Sequence, residues 1–316
     1  MSATLESPPE LELPELPQES QPSEETSSNA SAVIDRETIL ATFGPHNLKL
    51  RNVSWTVLVW MGLIHIGALA APFYFTWQAA GVALLLHWFT CSIGICLCYH
   101  RGLSHRSFKL HGPAKVLGLY AAALAGEGSP LRWSMVHRIH HGHSDEPGDP
   151  HSPLEGKWWS HLLWMFVHQD REIELAAHQQ YVPDLMKDRT VMFFERFWFP
   201  ILIASSVALY AWGGLPMLLW GVCLRMTLAY HSTWFVNSAT HLWGYRNYET
   251  TDASRNLWWV AVLSYGEGWH NNHHMDPASA SVQHRWWEID LTFYHILLLE
   301  RLGLATDVIR PHVTRG

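Results

Sequence analysis

The chain has 316 residues, 48% of them hydrophobic, with a formal net charge of −7 and a mean hydropathy near zero. The acidic balance argues against a nucleic-acid partner. The four cysteines (Cys91, Cys96, Cys98 and Cys223) all sit inside apolar runs, which speaks against a disulfide framework. Eighteen tryptophans and 22 histidines are far above ordinary usage. Excess tryptophan suits a membrane–water interface, the alternative being a Trp-rich soluble core.

Residues 1–31 are rich in Pro, Glu and Ser and read as a disordered acidic tail. The tail has no charged-then-apolar start of a signal peptide. An interfacial lead-in, 32–52, follows. Apolar runs then cover about 55–75 and 79–99, with a break from Pro72 to Gln78, and about 197–213 and 216–236, with a break at Gly213-Gly214. Each approaches the roughly 20 residues that a helix needs to cross a bilayer. Four crossings in two hairpins is the simplest count. Arg36, Lys49 and Arg51 precede the first run, and Arg101, Arg106, Lys109 and Lys115 follow the second. Arg189 and Arg196 precede the third, and Arg246 and Arg255 follow the fourth, while the short connections hold no Lys or Arg. By the positive-inside tendency, both termini and the polar segments 100–195 and 237–305 face the cytoplasm and form one helical cap. The expected architecture is therefore an all-α membrane protein, an integral multi-pass chain with its site on the cytoplasmic side.

Two shorter stretches fit the same picture. Ala114–Ala125 is too short to span and belongs at the interface. Trp286–Leu302 patterns as an amphipathic helix, either on the membrane surface or within the cap. Arg225, inside the fourth run, needs a partner, for which His87 and His65 are the nearest polar candidates.

The histidines are not scattered. His100 and His105 close the second run; His137, His140 and His141 follow in one stretch, and Asn237 and His241 close the fourth run. His270, His273 and His274 complete the series. Offsets of three and four share one helical face, while five does not and suits a helix end or a π-bulge. Buried imidazoles need partners, so nine in such places read as ligands of two metal ions, iron or zinc on softness. Asp145, Asp149 and Glu267, with His151 and His161, are candidates to orient those ligands. A metal transporter would instead place ligands at membrane mid-depth along a path.

His-x4-His, His-x2-His-His, Asn-x3-His and His-x2-His-His resemble the histidine boxes of the membrane fatty acyl desaturases. Asn237-Ser-Ala-Thr-His-Leu-Trp-Gly-Tyr-Arg246 and Gly266-Glu-Gly-Trp-His-Asn-Asn-His-His274 are most like the Δ9 acyl-lipid desaturases of cyanobacteria and plants. The likeness runs from about Asn52 to Ala305, setting a desaturase domain at 53–305 and a C-terminal tail at 306–316. It implies two iron ions (Fe2+) held by the nine histidines, with Asn237 in their coordination sphere. It also implies O2 as co-substrate, two electrons from a separate ferredoxin or cytochrome b5, and a cis double bond as product. The substrate is an acyl lipid or acyl-CoA. Met135 and Val136 stand where acyl-CoA desaturases carry an Arg-Asp pair, which favours the lipid. By the same resemblance Trp88 and Ser92 line the closed end of the acyl tunnel, and Thr233 and Trp234 border its bend. A related hydroxylase would share the scaffold. No His-Pro-Gly-Gly haem motif is present.

Overall fold

The computed structural model describes residues 34–312, so the expected tail at 1–31 lies outside the described residues. A short α1 (Arg36–Leu40) is capped by the Asp35 carboxylate on the Thr38 amide. Then α2 (Trp55–Ala70) and α3 (Trp77–Trp88) form a hairpin, with Thr76 capping the second. α3 runs on into a π-helical segment, Phe89–Ser104. The next four helices are α4 (Gly112–Ala125), α5 (Pro130–Gly142), α6 (Lys157–His161) and α7 (Arg171–Tyr181). α8 (Arg189–Leu218) leads through a six-residue π segment, Leu219–Leu224, into α9 (Arg225–Leu242). α10 (Trp258–Leu263), α11 (His270–Met275) and α12 (Leu291–Arg301) complete the helices. A two-residue antiparallel pair, β1 (Lys109–Leu110) with β2 (Ala305–Thr306), ties the end of the chain back to the π segment's exit.

Among the described residues, three helical stretches are long and apolar enough to cross a membrane: Trp55–Tyr74, Trp77–Ser104 and Arg189–Leu242. The third has 54 residues and would measure about 81 Å if straight. It is not straight. Gly213 and Gly214 leave helical dihedrals, Gly214 at φ +64°, and Pro216 follows.

The π segment is the spine of the fold. It is buried along most of its length, and α4 lies along it. Closeness there depends on Gly94, where a Cβ would sit 2.5 Å from the Ala122 amide nitrogen. Alanines 121–123 on α4 are fully buried against it. The apolar stretch Ala114–Ala125 thus lies within this helix.

Two local expectations change. The amphipathic helix begins at Leu291 rather than Trp286, because Asp290 caps it by accepting the Phe293 amide at 2.9 Å. Arg225 does not pair with His87 or His65. It donates to the Leu124 carbonyl at 2.6 Å and the Gly221 carbonyl at 3.1 Å, so backbone oxygens partner the buried guanidinium.

Candidate metal centre

Four chain segments converge on one polar interior. The π winding answers the five-residue offset, since the His105 amide donates to the His100 carbonyl at 3.1 Å. The two imidazoles therefore meet edge-on one π turn apart, 4.8 Å between centroids. α5 presents His137, His140 and His141, α9 ends in His241, and α11 carries His270, His273 and His274.

The nitrogens divide into two groups. His100, His105, His137, His141 and His273 each bring one nitrogen within 4.8 Å of all the others, and so do His140, His241, His270 and His274. In the first group His100 Nε2 lies 3.1 Å from His273 Nε2, His105 Nε2 2.7 Å from His137 Nε2, and His141 Nε2 2.9 Å from His273 Nε2. In the second, His270 and His274 approach through Nε2 at 3.0 Å.

Carboxylates behind the rings decide what those atoms are. His140 Nδ1 donates to Asp149 at 3.0 Å, His241 Nδ1 to Asp145 at 3.0 Å, and His274 Nδ1 to Asp252 at 2.6 Å. Glu267 stands 3.1 Å from His100 Nδ1 in a contact too bent for a full hydrogen bond. A carboxylate only accepts, so these Nδ1 atoms hold the proton and the Nε2 atoms turn lone pairs inward. Nε2 of His241 is buried without a hydrogen-bond partner in the protein. Burial, reinforced by repulsion between neighbours, holds His105, His137, His141, His270 and His273 well below the usual imidazole range, and pushes His274 to about 4. Imidazole nitrogens converging at two points fit a pair of first-row transition-metal ions.

Surrounding residues fix the rings. The chain enters α11 flat against α10, since a Cβ on Gly268 would lie 2.1 Å from the Ala261 nitrogen. Between the histidines of α11, Asn271 accepts the amides of Asn247 and Tyr248. Asn272 accepts from Asn247 and Asn256 and donates to Glu288. These asparagines anchor the helix from the face opposite the metals. Arg101, 1% exposed, donates to Glu267 at 3.0 Å and to Asp290 at 2.7 Å, so the residue after His100 holds the carboxylate behind His100.

The remaining sequence candidates fall in four places. His151 packs on His140 with centroids 4.4 Å apart, and its amide donates to Asp149. His161 stands apart from both groups, against Ser238 and His231. Asn237, Thr233 and Trp234 line a cavity of about 790 Å³ that runs between α2, α5, α8 and α9 to His137. Its size is that of a pocket for a ligand of some hundreds of Å³, and its walls are largely aromatic, among them Trp60, Trp133 and Trp198. Trp88 and Ser92 are not in that lining. Ser92 pairs with His295 at 3.2 Å and Trp88 packs edge-on against the same ring, both facing α12.

Sequence reasoning missed Asp252 and Glu127. Asp252 reaches His274 from a loop 22 residues upstream with no spacing motif to mark it. Glu127 lines the cavity between two positive-φ glycines, Gly126 and Gly128, and accepts from Thr233 Oγ1 at 2.9 Å and Trp133 Nε1 at 3.1 Å. Burial pushes its carboxyl up to about 7.

A model of the fatty acid desaturase family matches residues 75–297, a span that contains every one of these histidines. The chain belongs to the fatty acid desaturase family. It is similar to an sn-2 palmitoyl-lipid 9-desaturase of Nostoc sp. (strain 36), 43% identical over 85% of this chain and 96% of that protein. An sn-1 stearoyl-lipid 9-desaturase of Anabaena variabilis is 44% identical over 81% of this chain and 94% of its own length. A chloroplastic palmitoyl-monogalactosyldiacylglycerol delta-7 desaturase of Arabidopsis thaliana is also 44% identical, over 78% of this chain and 67% of its own length. As a fatty acid desaturase the protein is an oxidoreductase, and its apolar helices and histidine clusters suit a membrane enzyme with a two-metal centre.

Proposed function

We propose that this desaturase introduces a cis double bond at the Δ9 position of a saturated acyl chain esterified to a membrane lipid. The observation that carries the reading is the junction of the first histidine group with the cavity at His137, the second group lying directly behind it. Lipid 9-desaturases among the similar proteins support the position and the carrier. Met135 and Val136 support the carrier too, being buried and apolar where a CoA headgroup would call for charge.

The overall reaction is R–CH2–CH2–R + O2 + 2 e− + 2 H+ → R–CH=CH–R + 2 H2O. The nine histidines would hold two iron ions, with Asn237 beside them on the cavity wall. When bound, the irons supply the dioxygen activation that removes two hydrogens from adjacent methylenes. The protein does the rest. Asp145, Asp149, Asp252 and Glu267 keep Nδ1 protonated so that Nε2 is free to bind metal. Trp133 stacks on His137 at 5.1 Å and carries the cavity wall up to the centre. Apolar walls exclude water from the oxidant. Electrons come from a separate ferredoxin or cytochrome b5.

Arg189–Leu242 serves as two crossings hinged at Gly213-Gly214, which gives four in all. The centre then sits under a cytoplasmic cap built from 100–195 and 237–305, within a desaturase domain of 53–305. Expression in a host lacking unsaturated lipids, with the new double bond located by mass spectrometry, tests the reaction. Turnover on stearoyl-CoA, with none on stearoyl-lipid in a reconstituted bilayer, would overturn the lipid-linked substrate. A hydroxylated product would overturn the desaturation outcome.

A further inference from the structure

Three histidines outside the metal centre form a continuous string across three helices. His65 of α2 donates from Nδ1 to the Met61 carbonyl at 2.7 Å, and its Nε2 meets His231 Nε2 of α9 at 3.3 Å. His231 Nδ1 meets His161 Nε2 of α6 at 3.0 Å, and His161 Nδ1 pairs with Ser238 Oγ at 2.9 Å. Ser238 in turn donates to the Trp234 carbonyl at 2.7 Å. Two of the three rings belong to the membrane-crossing stretches, where ionisable side chains are costly and demand a reason.

That reason is in what the rings surround. All three lie against the Trp234 indole: His65 stacked at 6.2 Å and 13°, His231 edge-on at 4.9 Å and His161 edge-on at 5.7 Å. Tyr230 stacks on Trp234 at 5.5 Å and is pinned by its own bonds to Trp60 and Gly126. The indole is only 2% exposed, yet it forms cavity wall beside Thr233 and Asn237. Aliphatic packing would fill the same space without fixing a rotation, whereas hydrogen bonds from His65 to Met61, from His231 to His161 and from His161 to Ser238 each orient a ring, and His65 meets His231 in a ring contact rather than a hydrogen bond. Desaturases 44% identical to this chain carry names with a 9- and a delta-7 position, so close similarity of the chain does not by itself decide where the double bond falls.

We propose that the His65–His231–His161 string is a positioning element that fixes the Trp234 indole and thereby selects which methylene pair faces the metal centre. The inference rests on the reading above that the cavity holds the acyl chain. These histidines touch neither metal nor substrate. They act through Trp234.

The test uses the full chain in membranes of a host without other desaturases. Double-bond positions and bound metal are measured for wild type, His65→Leu, His231→Leu, His231→Asn and Trp234→Ala. His231→Leu removes both contacts of that ring, whereas Asn keeps a polar atom near the Nδ1 position. His65→Leu, on a different helix, decides the matter if His231→Leu does not accumulate. The expected result is that both leucine variants keep their metal but lose about tenfold in positional selectivity, as sub-ångström misplacement of a reacting group predicts. His231→Asn restores most of it. A single unchanged position in every string variant, alongside a broadened Trp234→Ala, overturns the role of the string. An unchanged Trp234→Ala overturns it as well, by removing the acyl chain from this cavity, and that outcome also refutes the underlying reading.

Discussion

Replacing Asp252 by Asn should damage the metal centre more than removing the side chain altogether. Asp252 Oδ2 accepts the His274 Nδ1 proton at 2.6 Å, while Oδ1 accepts the Ser254 amide and the Thr250 hydroxyl, both at 2.9 Å. In the Asn variant two donors already claim the oxygen, so the NH2 group must face His274. Donor then opposes donor, and the ring escapes by moving its proton to Nε2, which removes the lone pair meant for the metal. Losing an orienting partner ordinarily costs 10- to 100-fold in metal affinity or activity, and an inverted tautomer belongs at the upper end, about 2.7 kcal/mol. Asp252→Ala leaves room for a water to accept the Nδ1 proton, so its loss should stay near the lower end, about tenfold. The assay is iron content of anaerobically purified protein alongside turnover. An Asn variant that keeps its metal and outperforms the Ala variant would refute the tautomer argument.

Arg101→Met should cost about 3–5 kcal/mol, because it strands Glu267 and Asp290 as buried uncompensated carboxylates, and thermal unfolding of the detergent-solubilised protein would register the loss. Trp88→Ala should leave the range of product chain lengths unchanged, since Trp88 faces His295, whereas Met61→Trp should shorten it by filling cavity; chromatography of the product lipids separates the two. Glu127 is neutral below about 7 and ionises above it, placing charge against the acyl cavity, so turnover should fall as pH rises through 7. Glu127→Gln should remove that fall, and an alkaline limb that persists in this variant assigns it to another group.

Much of the centre can be read from spacing alone, because offsets of three and four place His137 with His140 and His141, and His270 with His273 and His274, on shared faces. The five-residue offset between His100 and His105 pointed to a helix end or a π-bulge, but nothing in a run of apolar residues announces π-helical bonding over the whole of Phe89–Ser104. Trp88 and Ser92, placed at the tunnel's closed end by resemblance, lie outside this cavity's lining and face α12. Asp145 and Asp149 follow closely after His140 and His141 and were within reach of sequence reasoning, but Asp252 meets His274 only through tertiary folding of a loop. The string through His65, His161 and His231 was invisible for a related cause. Its members lie 166 and 70 residues apart along the chain, and only the packing of α2, α6 and α9 makes them neighbours.

The same long separations bear on biosynthesis. His100 and His273, whose nitrogens meet at 3.1 Å, are 173 residues apart. At roughly 5–20 residues per second, a ribosome leaves the first ligand waiting on the order of 10–30 s for its last companion. During that interval the nascent chain displays an incomplete set of imidazoles to whatever divalent ion the cell has in excess. The full set of nine imidazoles is therefore offered to a metal only once α11 has been made.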